Sequence, residues 1–193
     1  VAPLKIGLTG GIAAGKSEAL KAFARLGAAT LSSDAVVHEL LESAPLRERL
    51  AERWGPEVIA EDGINRAKIG EIVFADPEEL SWLEEQIHPL VQEQTARWLL
   101  SLPTDTEVAV VEVPLLFEAG SDKAFDTTVA VVTGDEVRRE RAAARGHTLV
   151  DEREARQLTQ PEKAARAEHV VENDGSVEDL ERALSALLDK LRR

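Results

Sequence analysis

The sequence predicts an α/β fold: a parallel sheet of five strands between two layers of helices, three layers in all. Three observations predict it. Residues 4–17, LKIGLTGGIAAGKS, run from alternating apolar positions into a glycine-rich loop. Four further short runs, Ala28–Leu31, Glu107–Val113, Thr127–Thr133 and His169–Val171, carry strand composition and are separated by stretches of helical periodicity. The run 107–113 is almost continuously apolar, as a parallel strand covered on both faces must be.

Leu4, Ile6 and Leu8 alternate as a buried strand should, and a helical pattern opens at Glu18. Between them Gly10 to Ser17 matches the P-loop pattern G-x-x-x-x-G-K-[ST]. Such a loop feeds a helix N-terminus, so the backbone N–H groups from Gly10, Gly11, Ile12, Ala13, Ala14 and Gly15 onward can surround phosphate oxygens. Lys16 then supplies a mobile cation for the β- and γ-phosphates, and the Ser17 hydroxyl is a ligand for Mg²⁺.

Gly27 stops the first helix, and the second strand ends at Ser32, Ser33 and Asp34. Ligands of open parallel sheets sit outside the strands' carboxyl ends, so Asp34 either shares a crevice with the loop or caps the helix Ala35–Leu41. From Ser43 to Leu102 no strand is evident, and Pro45, Gly55-Pro56, Gly63, Asp76-Pro77 and Pro89 break the segment into successive helices. Leu80, Leu83, Ile87, Leu90 and Val91 form an apolar stripe on a helix bent near Pro89. This block reads as a helical insertion, either a wall for a second substrate or a scaffold completing the core, with Arg66, Lys68 and His88 as its polar candidates.

The third strand ends in Glu112, followed by Pro114, Leu115, Leu116, Phe117 and Glu118. Glu112 either supports Mg²⁺ or bonds a neighbouring loop. Gly134-Asp135 caps a basic helix, Glu136–Arg145, on which Arg138, Arg141 and Arg145 share a face. They either reach phosphates as a lid or pair with Glu136, Glu140 and Glu152. Residues 150–167 read as continuing helix. Asn173-Asp174-Gly175 is a turn at the fifth strand's carboxyl end and a candidate contact for a nucleotide base, and an amphipathic helix, Val177–Leu191, closes the chain.

Composition excludes several classes. Thirty-six Asp and Glu against 23 Lys and Arg give a net charge of −13, which repels nucleic acid in general. There is no Cys, hence no disulfide, thiolate metal site or thiol catalysis. No apolar run approaches a membrane span, and the opening residues lack a basic leader, so a cytoplasmic location is expected. His38-Glu39 has Glu42 where a zinc motif needs its second histidine, and no N-K-x-D motif supports guanine specificity.

Beyond the loop, the sequence resembles the dephospho-coenzyme A kinases over nearly its whole length. The blocks that carry the resemblance are SSDA at 32–35, INRAKIGEIVFADPEEL at 64–80, LEEQIHPLV at 83–91, VPLLFEAG at 113–120 and VVENDGSVEDLE at 170–181. The resemblance implies one P-loop kinase domain over 1–193, with an acceptor-binding helical insertion at about 43–103 and a lid at about 141–165. It also implies ATP-dependent phosphorylation of the 3′-hydroxyl of dephospho-coenzyme A, with no obligatory protein partner; a nucleoside monophosphate kinase or a nonenzymatic nucleotide-binding switch are the alternatives. Asp34 falls on the carboxylate that accepts the hydroxyl proton, Arg145 on the lid arginine, and Asn173, Asp174 and Gly175 on the loop near adenine, with Arg141 on the nucleotide side. Thr9, Arg66, His88, Leu115, Phe117 and Glu118 line up with segments around the acceptor. Two departures stand out: Ser32 replaces an aspartate, and Glu18 replaces a threonine that would meet the α-phosphate, so Glu18 is expected to point away.

Overall fold

The computed structural model describes residues 2–61, 63–144 and 157–192. They form two compact units, 1–32 with 102–193, and 33–101.

In the first unit, β1 (Leu4–Gly10), β2 (Ala29–Ser32), β5 (Val108–Glu112), β6 (Thr127–Val132) and β7 (His169–Glu172) make a five-stranded sheet in the order β2-β5-β1-β6-β7. Every pairing is parallel. All five residues of β5 are buried, as its apolar run requires. One face is covered by α1 (Lys16–Arg25) and α8 (Val177–Leu191), which pack on each other. Phe23, Leu180, Leu184 and Leu188 bury completely or nearly so against Ile6, Leu8, Val110 and Val129. Leu180, Leu184 and Leu188 recur every four residues, and burying each contributes about 1.5–3 kcal/mol. Ser176 starts α8 with a capping box to Asp179, two bonds that satisfy orphan amides at the helix start. On the other face Leu116 and Phe125 lie against Gly7, where a Cβ would come within 2.8 Å of the Phe125 ring.

The second unit contains α2 (Ser33–Leu41), α3 (Ala44–Trp54), β3 (Ile59–Ala60), β4 (Gly63–Ile64), α4 (Arg66–Ala75) and α5 (Pro77–Ser101). A small antiparallel pair, β3 with β4, lies in the stretch where the sequence shows no strand. Two-residue strands are too short for alternation to register. The core gathers Leu46, Leu50, Val58, Ile69, Val73 and Ile87. Pro89 lies inside α5, where it removes one helical hydrogen bond.

A second difference concerns residues 150–167, of which the described part is not continuous helix. α6 (Asp135–Ala144) and α7 (Gln160–Arg166) are separate, and α7 begins at a capping box in which Thr159 and Glu162 bond each other's backbone amides. The T-x-x-E spacing that specifies this start is present in the sequence.

In the second unit Glu79 accepts hydrogen bonds from Trp54 Nε1 at 2.7 Å and from Arg53 Nε and Nη2 at 3.0 and 2.8 Å. The Arg53 guanidinium lies 5.3 Å from the Trp82 ring, which meets Trp54 edge-on at 5.2 Å. Arg53 first, and Trp54 second, hold the Glu79 carboxyl below the usual carboxylate range. A carboxylate depressed by folding stabilises the folded state above its unfolded pKa of about 4.3 and loses that contribution as pH falls through its lower folded value. Glu79→Gln should therefore flatten the acid-side loss of stability. Urea denaturation followed by tryptophan fluorescence at about pH 5 and about pH 3 reads it; equal losses in the two proteins would remove Glu79 from the acid response.

Candidate active site

Strand register builds the site. β1 is the central strand, and Leu8 pairs with Glu112 while Gly10 pairs with Val131. Ser32 pairs with Glu112, and Val132 with Glu172. Ser32, Glu112, Gly10, Thr133 and Asn173 thus arrive at one carboxyl edge. From β1 the chain goes to β2 and β5 on one side and then crosses to β6 and β7 on the other, so strand order reverses at β1, the position where open sheets bind ligands.

The loop after β1 packs closely. A Cβ on Gly10 would lie 2.4 Å from the Val131 carbonyl oxygen, so no side chain fits where the chain turns off the sheet. Ala13 adopts left-handed backbone with φ 60°, a conformation costing about 1–2 kcal/mol for a residue with a Cβ. The Ala14 N–H donates to Gly11 O at 3.2 Å. Gly15, with φ 96°, begins α1 without a side-chain cap, the arrangement that binds anions at helix starts. Lys16 folds back so that Nζ donates to the Gly10 and Gly11 carbonyls, each at 3.1 Å, keeping its charge at the loop. Ile12 is half-buried and Ser17 is exposed. Glu18 is matched by Arg25 at 3.2 Å and Lys21 at 3.8 Å, and Arg25 also binds Glu181 at 2.6 Å. Its charge is neutralised along the helix surface.

The ends of β6 and β7 brace this loop. Asn173 is buried, and its Nδ2 donates to Ala14 O at 2.8 Å. Arg141 Nη1 donates to Asn173 O at 3.0 Å. Asp174 Oδ1 accepts from the Gly134 N–H at 2.6 Å and from the Thr133 hydroxyl at 2.7 Å; the first of these and then the second hold its carboxyl below the usual range. Gln160 brackets Thr133, accepting from its N–H at 3.1 Å and donating to its carbonyl at 2.8 Å, and its side chain lies against Gly11. Gly11, Ile12, Arg138, Thr159 and Gln160 line a small cavity there.

Behind β5, Glu112 is buried and Leu115 and Phe117 are half-buried. Thr9 Oγ1 donates to Pro114 O at 3.3 Å. The same carbonyl accepts from Lys163 Nζ, a wholly buried ammonium whose ion pair with Glu118 Oε1 spans 3.1 Å. Glu118 Oε1 also accepts the Leu158 N–H at 2.9 Å. Thr9 and Glu118 are therefore bonded within the protein in this state.

The remaining predicted residues lie in the second unit or outside the described residues. Asp34 is exposed in the first turn of α2, two residues past the end of β2. Arg66 begins α4, with Nη2 2.9 Å from His38 Nε2 and 3.4 Å from Glu42 Oε1. Since the guanidinium only donates, His38 Nε2 is the acceptor. His88 is exposed on α5. Arg145 lies outside the described residues.

The dephospho-CoA kinase family model matches residues 4–179, from β1 into the first turn of α8. The chain belongs to the dephospho-CoA kinase family. It is 37% identical to the dephospho-CoA kinase of Syntrophotalea carbinolica, an alignment covering 97% of this chain and 92% of that one. A crystal structure of a Thermus thermophilus protein superposes with a TM-score of 0.82 at 35% identity over 99% of both chains. The dephospho-CoA kinase of Campylobacter jejuni shares the fold, with a TM-score of 0.71 at 24% identity over 97% of this chain and 96% of that one.

Two residues that sequence reasoning passed over, Gln160 and Lys163, thus brace the site of a dephospho-CoA kinase family member. The capping box at Thr159 could have located both at the start of a helix, but not the burial of Lys163. Removing one partner of a buried ion pair leaves an uncompensated charge, at a cost of about 3–5 kcal/mol. Lys163→Met should lower the unfolding free energy by about that much, and adding Glu118→Gln should recover part of it. Chemical denaturation of the two single variants and the double variant gives the cycle; additive losses would mean that the pair is not coupled.

Proposed function

We propose that this family member transfers the γ-phosphoryl group of ATP to the 3′-hydroxyl of dephospho-coenzyme A, giving coenzyme A and ADP. The observation that carries the reading is the family match across residues 4–179, which runs through the loop where Lys16 Nζ is held at the Gly10 and Gly11 carbonyls. The proposed acceptor-binding insertion is residues 43–103, the proposed lid is residues 141–165, and the proposed setting is the cytoplasm. Among the described residues no helix is long and apolar enough to cross a membrane.

Phosphoryl transfer rests on positioning and charge. Backbone amides of residues 10–17 and the Lys16 ammonium bind the β- and γ-phosphates, with Arg145 adding charge from the lid. Asp34 orients the acceptor hydroxyl and takes its proton as the oxygen attacks the γ-phosphorus; the bond from that phosphorus to the β-γ bridging oxygen breaks, and ADP leaves with the electron pair. Arg66, His88, Leu115 and Phe117 are proposed contacts to the acceptor, and Asp174, Gly175 and Arg141 to the nucleotide. The Ser17 hydroxyl and the buried Glu112 carboxylate are hard oxygen donors of the kind Mg²⁺ takes, and they are the residues that would hold it. Bound Mg²⁺ neutralises charge on the β- and γ-phosphates.

A coupled ADP-release assay with dephospho-coenzyme A, adenosine monophosphate or no acceptor tests the reading. Release should depend on dephospho-coenzyme A; preference for the monophosphate would point to a nucleotide kinase instead. Asp34→Asn should lower kcat by about 10²- to 10⁴-fold with ATP binding nearly intact. Unchanged kcat would remove Asp34 from the chemistry. For Arg145→Ala the loss should fall on kcat well above any change in the acceptor KM, whereas wild-type turnover would leave the arginine without a role in transfer.

A further inference from the structure

Asn173 lies next to the turn at the end of β7, in a segment whose resemblance places it near the nucleotide base, yet its amide is spent elsewhere. Its N–H donates to the carbonyl of Val132, the last residue of β6, at 2.8 Å. Its carbonyl accepts from Arg141 Nη1 at 3.0 Å. So anchored, the buried side chain donates Nδ2 to Ala14 O at 2.8 Å. The approach is close enough that a Cβ on Gly15 would lie 2.0 Å from that nitrogen. Only glycine at 15 lets the amide reach the carbonyl before it.

The consequence follows from peptide geometry. In a trans peptide the carbonyl and the following N–H point to opposite sides. With Ala14 O drawn toward Asn173, the Gly15 N–H is turned to the other side. The carbonyl of Gly15 is fixed as well, accepting from Glu18 and Ala19 at 3.1 and 3.0 Å as α1 begins. Both peptide planes of Gly15 are thereby set before any ligand arrives. This loop also contains Ala13 at φ 60°, a conformation an unbraced chain would leave.

We propose that Asn173 is a positioning residue for the phosphate loop: by holding Ala14 O it presets the Gly15 amide for the triphosphate. The proposal rests on the reading of this loop as the ATP site and assigns Asn173 a task separate from contact with the base. It predicts that Asn173 acts on phosphates even when no base is present. The probe is inorganic tripolyphosphate with Mg²⁺, titrated calorimetrically into the protein alongside ATP and dephospho-coenzyme A. Asn173→Ala removes the donor, and the near-isosteric Asn173→Asp sets a carboxylate against the Ala14 carbonyl while filling the same space. Each should weaken both ATP and tripolyphosphate by about tenfold, the aspartate variant more, with dephospho-coenzyme A affinity unchanged, while the loss of a buried hydrogen bond lowers the ligand-free Tm in both. Weaker ATP with unchanged tripolyphosphate would overturn the proposal in favour of a base contact. A lower Tm with both affinities unchanged would overturn it in favour of a merely structural bond. A wild-type enzyme that binds tripolyphosphate but phosphorylates no dephospho-coenzyme A would refute the acceptor assignment alone and leave the comparison of variants valid.

Discussion

The hydrogen bond from Asn173 to Ala14 joins residues 159 apart in sequence, and the rest of the carboxyl edge depends on the register that lets it form. Closing a loop of that length is entropically costly in an unfolded chain. The sheet absorbs the cost first, because pairing β1 with β6 and β6 with β7 already brings Gly10 opposite Val131 and Glu172 opposite Val132. One residue beyond each strand end, Thr133 and Asn173 then need only local turns to reach one another and the loop. A one-residue slip of β7 would reverse the faces of its side chains and carry the Asn173 amide away from Ala14. Site geometry is in this sense a property of the sheet, and the buried valines and leucines beneath it contribute to the site without touching a ligand.

The Lys163 and Glu118 pair works on the other flank by a different balance. A wholly buried ammonium is costly, and an ion pair alone rarely repays it. Here the ammonium also donates to Pro114 O, a carbonyl that Thr9 bonds from β1. Three segments distant in sequence, β1, the turn after β5 and α7, therefore meet at one carbonyl oxygen. An apolar side chain at 163 could fill the space but would leave Glu118 and Pro114 without this donor. The pair fixes where the segment 114–118 lies, which is the segment that carries the family's PLLFE block.

What the sequence discloses and what it hides divide along physical lines. The β1 strand, the loop and α1 were legible because each position there has a local steric or electrostatic meaning: alternating Leu4, Ile6 and Leu8, glycines where a Cβ has no room, a lysine and serine at the helix start. Strand β5 was legible from its nearly continuous apolar run and β6 from its β-branched composition. The pair β3 and β4 was not, since two residues carry no period. The break before α7 was hidden by reading periodicity across Thr159, although its capping box was in plain view. Lys163 could not be read as buried, because burial of one charge depends on Pro114 and Glu118, 49 and 45 residues away. Asn173 was read from its neighbours Asp174 and Gly175 as part of a turn, while its decisive partner lies at the other end of the chain.

An acidic protein binding a polyanion raises a question of range. A net charge of −13 repels ATP over the surface as a whole. At physiological ionic strength, however, exposed charges are screened beyond about 8 Å. In the proposed reading the amides of the loop, the Lys16 ammonium and Arg141, bonded beside Gly15, act within contact distance, where screening is weak. Glu18, the carboxylate in the first turn of α1, is neutralised by Arg25 and Lys21. Phosphate recognition as proposed here is accordingly short-ranged and built from backbone donors, whose dipoles carry no titratable charge. Short-ranged donors must already be aimed when the ligand arrives, and bracing by Asn173, Gln160 and Asp174 meets that requirement.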